Sequence, residues 1–180
     1  MGYFILAAAA GFLTDILLKR QLKLNRYPFT VVLSFITMLI LSKAFVNPLP
    51  IVKGFLLAQI LIYAGYYDAK SKVIPDMVHI LIAVTSIIEF NPVRAIIGLF
   101  AGLVPFLVIG VVSGGIGGGD IKLMGASGFV LGYWGVTMAS LIGLSLALLK
   151  TYIFSKDKTQ CIPLAPYLGV GCFLAYYFQI

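Results

Sequence analysis

Charge is what this sequence has least of. Only 11% of its 180 residues are charged and six are acidic, while 61% are hydrophobic and the mean hydropathy is +1.07. A soluble domain carries roughly 25% charged residues, because its surface must be wetted. A chain this poor in polar side chains cannot cover itself in water, which excludes a soluble enzyme, a disordered tail and a nucleic-acid-binding module. Cysteine is equally scarce. Cys161 and Cys172 form no Cys-x-x-Cys pair and make neither a disulfide framework nor a four-ligand zinc site. No metal and no cofactor is expected. There is no low-complexity tract and no long soluble stretch, so residues 1–180 are expected to form a single membrane-embedded domain. What charge there is leans positive, with 13 Lys and Arg and a net charge of +7. In an apolar chain that excess has a topological meaning, since Lys and Arg hold loops on the cytoplasmic side.

What the sequence has in quantity is apolar runs of membrane-spanning length, about 20 residues each. They cover Gly2–Leu18, Pro28–Val46, Ile51–Tyr67, Pro75–Phe90, Pro92–Val112, Leu123–Leu149 and Ile162–Ile180. The first has no basic residues ahead of it and reads as a retained span rather than a signal peptide. The run from Leu123 is 27 residues long, with Gly132, Tyr133, Trp134 and Gly135 in its middle. It is either one long tilted helix or two short ones. The basic loops arbitrate. With Lys19, Arg20, Lys23 and Arg26 inside, a single helix leaves seven basic residues inside and six outside, whereas a hairpin turning at Tyr133–Trp134 gives ten against three. The expectation is therefore an all-α polytopic bundle of about eight membrane segments, including a short helical hairpin after the Gly-rich loop, with both termini outside. Gly98–Gly102 and Gly128–Gly132 have the spacing that lets helices approach closely.

Each carboxylate in such a chain needs a reason, because charge near hydrocarbon is costly. Asp157 lies between Lys156 and Lys158 in a loop, Glu89 is at an external helix end, and Asp15 is one turn from Lys19. The other three flank two inner loops. In Tyr67-Asp68-Ala69-Lys70-Ser71-Lys72-Val73-Ile74-Pro75-Asp76, Asp76 opens a helix, where its charge suits the dipole. Asp68 closes one, where it does not. The second loop, Ser113-Gly114-Gly115-Ile116-Gly117-Gly118-Gly119-Asp120-Ile121-Lys122, holds five glycines in six positions. A plain turn needs one or two, and the Gly-Lys-Ser/Thr ending of a phosphate loop is missing. Bare backbone of this kind permits the close approach of an extended peptide. Two carboxylates in one low-dielectric pocket share a proton, so the pair can deprotonate a water while polarising a carbonyl.

Asp68, Ile74-Pro75-Asp76 and Gly117-Gly118-Gly119-Asp120-Ile121-Lys122-Leu123-Met124 together resemble the type IV prepilin peptidases and archaeal preflagellin peptidases, membrane aspartyl proteases of the Gly-x-Gly-Asp kind. Ile162-Pro163-Leu164-Ala165-Pro166-Tyr167-Leu168-Gly169 is similar to the proline-containing start of that family's final helix. The resemblance implies a catalytic pair at Asp68 and Asp120 and removal of a short basic leader from prepilin, pseudopilin or preflagellin-like substrates at the cytoplasmic membrane face. Substrate contacts are expected at Gly117, Gly118, Gly119, Asp76, Pro163 and Pro166, with Asp76 and, more weakly, Asp157 facing the leader's positive charge. Lys122 is read as an anchor at lipid phosphates and His79 as a buried, hydrogen-bonded histidine. Many bacterial relatives also N-methylate the trimmed end, using a cytoplasmic region with paired Cys-x-x-Cys motifs. The segment between Arg20 and Pro28 is too short for that region, so peptidase activity alone is expected. Two readings of other classes remain open: a proton- or cation-conducting protein, and a non-catalytic pilus-assembly factor.

Overall fold

The computed structural model describes residues 2–23, 30–154 and 162–178. Arg26, Pro28, Lys156, Asp157, Lys158 and Cys161 lie outside them. Among the described residues every regular element is helical: α1 (Gly2–Leu22), α2 (Thr30–Ala44), α3 (Pro48–Ser71), α4 (Asp76–Thr85), α5 (Pro92–Ser113), α6 (Gly118–Phe154) and α7 (Ala165–Phe178). The expected all-α class is therefore observed. Three helices, α3, α5 and α6 up to Ile153, are long and apolar enough to cross a membrane, while α2, α4 and α7 are apolar but shorter. Large apolar side chains face outward along the bundle, among them Ile5, Val32, Ile80, Ile96 and Phe100. Such an exterior fits lipid and not water.

Local chemistry sets the helix ends. Pro48 and Pro92 begin α3 and α5, at the position where a missing N–H costs nothing. The Asn91 side chain accepts a 3.1 Å hydrogen bond from the Arg94 N–H and caps α5. Gly114 closes that helix at φ 63°, a left-handed conformation that glycine enters without steric cost. At the start of α2, the buried Asp15 carboxylate of α1 accepts from both the Thr30 N–H at 2.8 Å and the Thr30 hydroxyl at 2.5 Å. A charge that would be costly in an apolar bundle is thereby spent on an orphan helix-end donor.

Among the described residues seven helices are present, three of them of spanning length, against an expectation of about eight membrane segments. α6 is broken at Gly132, whose φ of 75° and ψ of −178° are not helical. The break is severe. A Cβ built on Gly102 of α5 would touch the Met124 carbonyl carbon at 2.8 Å and Val136 Cγ2 at 2.9 Å. In an unbroken helix those two residues would be about 18 Å apart along the axis, so the chain folds back on itself between them. α5 fits against the first half of α6 through facing glycines: a Cβ on Gly98 would meet the Gly128 carbonyl oxygen, and one on Gly128 would meet that of Gly98. The second half of α6 lies antiparallel to α7, with Ala139 beside Gly171 and Gly143 beside Leu168. α7 in turn runs antiparallel to α3, with Gly54 beside Tyr176 and Gly65 beside Pro166.

Candidate active site

Asp68 occupies the last turn of α3 and is only 5% exposed. Its position puzzles when α3 is considered alone, because a carboxylate at a helix C-terminus faces the wrong end of the dipole. The fold resolves this. The Ala165 N–H donates to Asp68 Oδ2 at 3.1 Å, and Ala165 is the first residue of α7. Asp68 therefore caps a different helix, at the end that favours negative charge. Gly65, one turn earlier, brings the backbones together: a Cβ there would sit 3.1 Å from Pro166 Cα. Pro163 lies in the extended segment before α7 and is half-buried. Of the two prolines expected to contact substrate, Pro166 is thus seen packing α7 onto α3.

Past Asp68 the chain turns through Lys72, left-handed at φ 55°, whose N–H returns to the Asp68 carbonyl at 2.8 Å. Ile74 then leads into α4 and touches the second loop, where a Cβ on Gly119 would lie 3.3 Å from Ile74 Cβ. Gly119 is held from the other side as well. His79 Nε2 donates to the Gly119 carbonyl at 3.1 Å, which identifies Nε2 as the protonated ring nitrogen. The Asp76 carboxylate lies 3.8 Å from His79 Nδ1 and accepts from Lys122 Nζ at 2.8 Å. Lys122, expected as a lipid anchor, is therefore engaged by Asp76, and the Asp76 charge, expected to face a basic leader, is already partnered. His79 is thus hydrogen-bonded and largely buried, as expected, while its partner Gly119 has no signal in the sequence.

Asp120 follows directly, on the first turn of α6, with its N–H bonded to the Gly117 carbonyl at 3.0 Å. One of its carboxylate oxygens, Oδ1, is buried and has no hydrogen-bond partner. The Asp68 carboxylate lies within electrostatic range of Asp120. Two acids from separate helices thus lie at one end of the bundle within electrostatic range of each other, and one presents a desolvated, unsatisfied oxygen. Gly117 and Gly118 are exposed, and a side chain on Gly118 would meet nothing within 4 Å. The loop lies open beside the pair. Among the described residues no cluster of His, Cys, Asp and Glu has the make-up of a metal site.

Residues 55–152 match the family model described as the type IV leader peptidase family. Over 90 residues the chain is 36% identical to the prepilin leader peptidase/N-methyltransferase of Bacillus subtilis (strain 168). That alignment covers 45% of this chain and 35% of the relative, so it spans about a third of the relative's length. No solved structure matches the chain.

Proposed function

The chain belongs to the type IV leader peptidase family, and on that basis we propose that it is a membrane aspartyl endopeptidase in which Asp68 and Asp120 hydrolyse the leader of a prepilin-like substrate at the cytoplasmic face. The observation that carries this reading is the buried, unsatisfied Asp120 Oδ1 beside an open glycine loop, with the Asp68 carboxylate near enough to act on Asp120 electrostatically. Such a pair holds one proton between its members. The ionised carboxylate takes a proton from a water, the resulting hydroxide attacks the scissile carbonyl carbon, and the protonated partner hydrogen-bonds the carbonyl oxygen. Collapse of the tetrahedral intermediate breaks the C–N bond as the dyad returns a proton to the leaving amine. The Ala165 N–H fixes Asp68, and the link from His79 to Gly119 fixes the backbone entering Asp120.

The substrate strand lies along Gly117–Gly119, where no side chain blocks main-chain pairing. Pro163 and Pro166 border the groove beside Asp68. Asp76 is the acidic group available to a basic leader, which competes with Lys122 for it. The whole chain acts as one membrane-embedded domain of eight segments, with α6 supplying two, and works without a metal or cofactor. It cuts without methylating, on the ground that the stretch between Arg20 and Pro28 is too short to hold a region with paired Cys-x-x-Cys motifs.

Co-expression with a candidate prepilin, a gel mobility shift and mass measurement of the product's N-terminus test these statements together. Asp68→Asn and Asp120→Asn should each lower cleavage by at least about a thousandfold while the protein still accumulates in membranes, as expected when half of an acid–base pair is lost. Processing at the normal rate by either variant overturns the dyad. A product carrying an added methyl group overturns the peptidase-only assignment.

A further inference from the structure

Lys53 is the least explained charge in the molecule. It lies on α3, fifteen residues before Asp68 and so about 22 Å from it along the helix axis, at the opposite end of the bundle from the acid pair. Its side chain is buried, with only 8% of the residue exposed, and it makes neither an ion pair nor a hydrogen bond with any described residue. Its stem is buried while the ammonium opens on a cavity, where Glu89 is the opposite charge that acts on it. That cavity, of about 340 Å³, is also lined by Asn91, Arg94 and Tyr176. The wall is built. Tyr176 donates to the Pro50 carbonyl at 2.8 Å, Arg94 donates to the Leu131 carbonyl at 3.0 Å, and Glu89 is held in a left-handed backbone conformation at φ 57°. Two cations and one carboxylate therefore line one polar cavity.

We propose that this cavity binds a phosphate group, taken from a phospholipid headgroup or from free phosphate. A phosphate oxygen supplies the hydrogen-bond acceptor that Lys53 lacks, and the Arg94 guanidinium adds a second positive charge to the same wall. Glu89 suits an ammonium or hydroxyl adjoining the phosphate, as in ethanolamine and glycerol headgroups. The volume lies at the lower end of small-ligand pockets, about 300–1,000 Å³. Occupancy would brace the N-terminal ends of α3 and α5 against the break in α6, remote from the acid pair.

The test is thermal unfolding of the full-length protein in neutral detergent, with phosphatidylethanolamine, phosphatidylglycerol, a diacylglycerol lacking phosphate, or inorganic phosphate added. Phospholipid should raise the wild-type midpoint by about 3 °C or more. Lys53→Arg should keep that rise and Lys53→Met should lose it. Lys53→Met exchanges a side chain that makes no hydrogen bond for an apolar one of similar length, so its lipid-free midpoint should not fall. Asp68→Asn should keep the lipid response, which separates this site from the catalytic reading. A rise with inorganic phosphate equal to that with lipid supports the phosphate site and assigns it to the free anion. A rise that diacylglycerol reproduces, or that Lys53→Met retains, overturns it.

Discussion

Asp68 shows how far single residues can be read. Its unfavourable place at the end of α3 is visible in the sequence, and so is the conclusion that something else must hold it there. The something else is the Ala165 N–H, 97 positions away, and a backbone donor leaves no mark in sequence. Asp76 and Lys122 were legible as charges but not as each other's partners, because that pairing depends on how α4 lies against α6. The same holds for His79. Its hydrogen bond to Gly119 fixes the residue before Asp120, and removing it strands a carbonyl, at a cost of about 1–3 kcal/mol if that group stays buried. We therefore expect His79→Leu to reduce the rate of leader cleavage roughly tenfold or more while leaving the amount of protein in membranes nearly unchanged. Steady-state cleavage of a prepilin peptide in detergent checks this, and a wild-type rate would show that the loop is positioned without the histidine.

At the scale of elements, apolar runs bounded by Pro, Gly and basic residues locate the helices well, because the same residues that end an apolar run also end a helix. The run Pro75–Phe90 is the exception. Its helix stops at Thr85, since Glu89 takes a left-handed backbone and Asn91 is committed to capping α5; apolarity persists past the point where helical geometry does. Gly132 is the reverse case, where apolarity continues unbroken and geometry does not. Its φ of 75° with ψ of −178° belongs to a region open essentially to glycine alone, and a Cβ there would lie 2.6 Å from the Arg94 side chain. Gly132→Ala should thus cost about 1–3 kcal/mol from backbone strain alone, read as a lowered unfolding midpoint. Gly98→Val should be worse, because its added carbons enter the Gly128 and Gly132 backbone, where neither helix can yield without separating. Loss of the protein from the membrane fraction is the expected result. Normal accumulation of the valine variant would mean that α5 and α6 do not pack through these glycines.

At the scale of the whole molecule, the fold-back in α6 and the arrangement of charge support each other. α3 sets Lys53 and Asp68 at opposite ends, and the break at Gly132 lies at the Lys53 end, since Arg94 lines the cavity with Lys53 and bonds to Leu131. Trp134, 73% exposed, then projects from the end opposite the acid pair, where an indole ring suits the membrane interface. Lys72 and the glycine loop lie at the other end. If the basic loops are cytoplasmic, the acid pair faces the cytosol and the turn after Gly132 faces outward. Single cysteines settle the matter. In a background with Cys161 and Cys172 replaced by serine and alanine, Val46→Cys and Trp134→Cys should react with a membrane-impermeant maleimide in intact cells. Lys72→Cys should react only after lysis. Labelling of Lys72→Cys in intact cells would reverse the orientation and put the acid pair on the wrong side for a cytoplasmic cut. Failure of Trp134→Cys to label before or after lysis, with Val46→Cys behaving as expected, would mean that residue 134 lies within the bilayer, as when α6 crosses the membrane once.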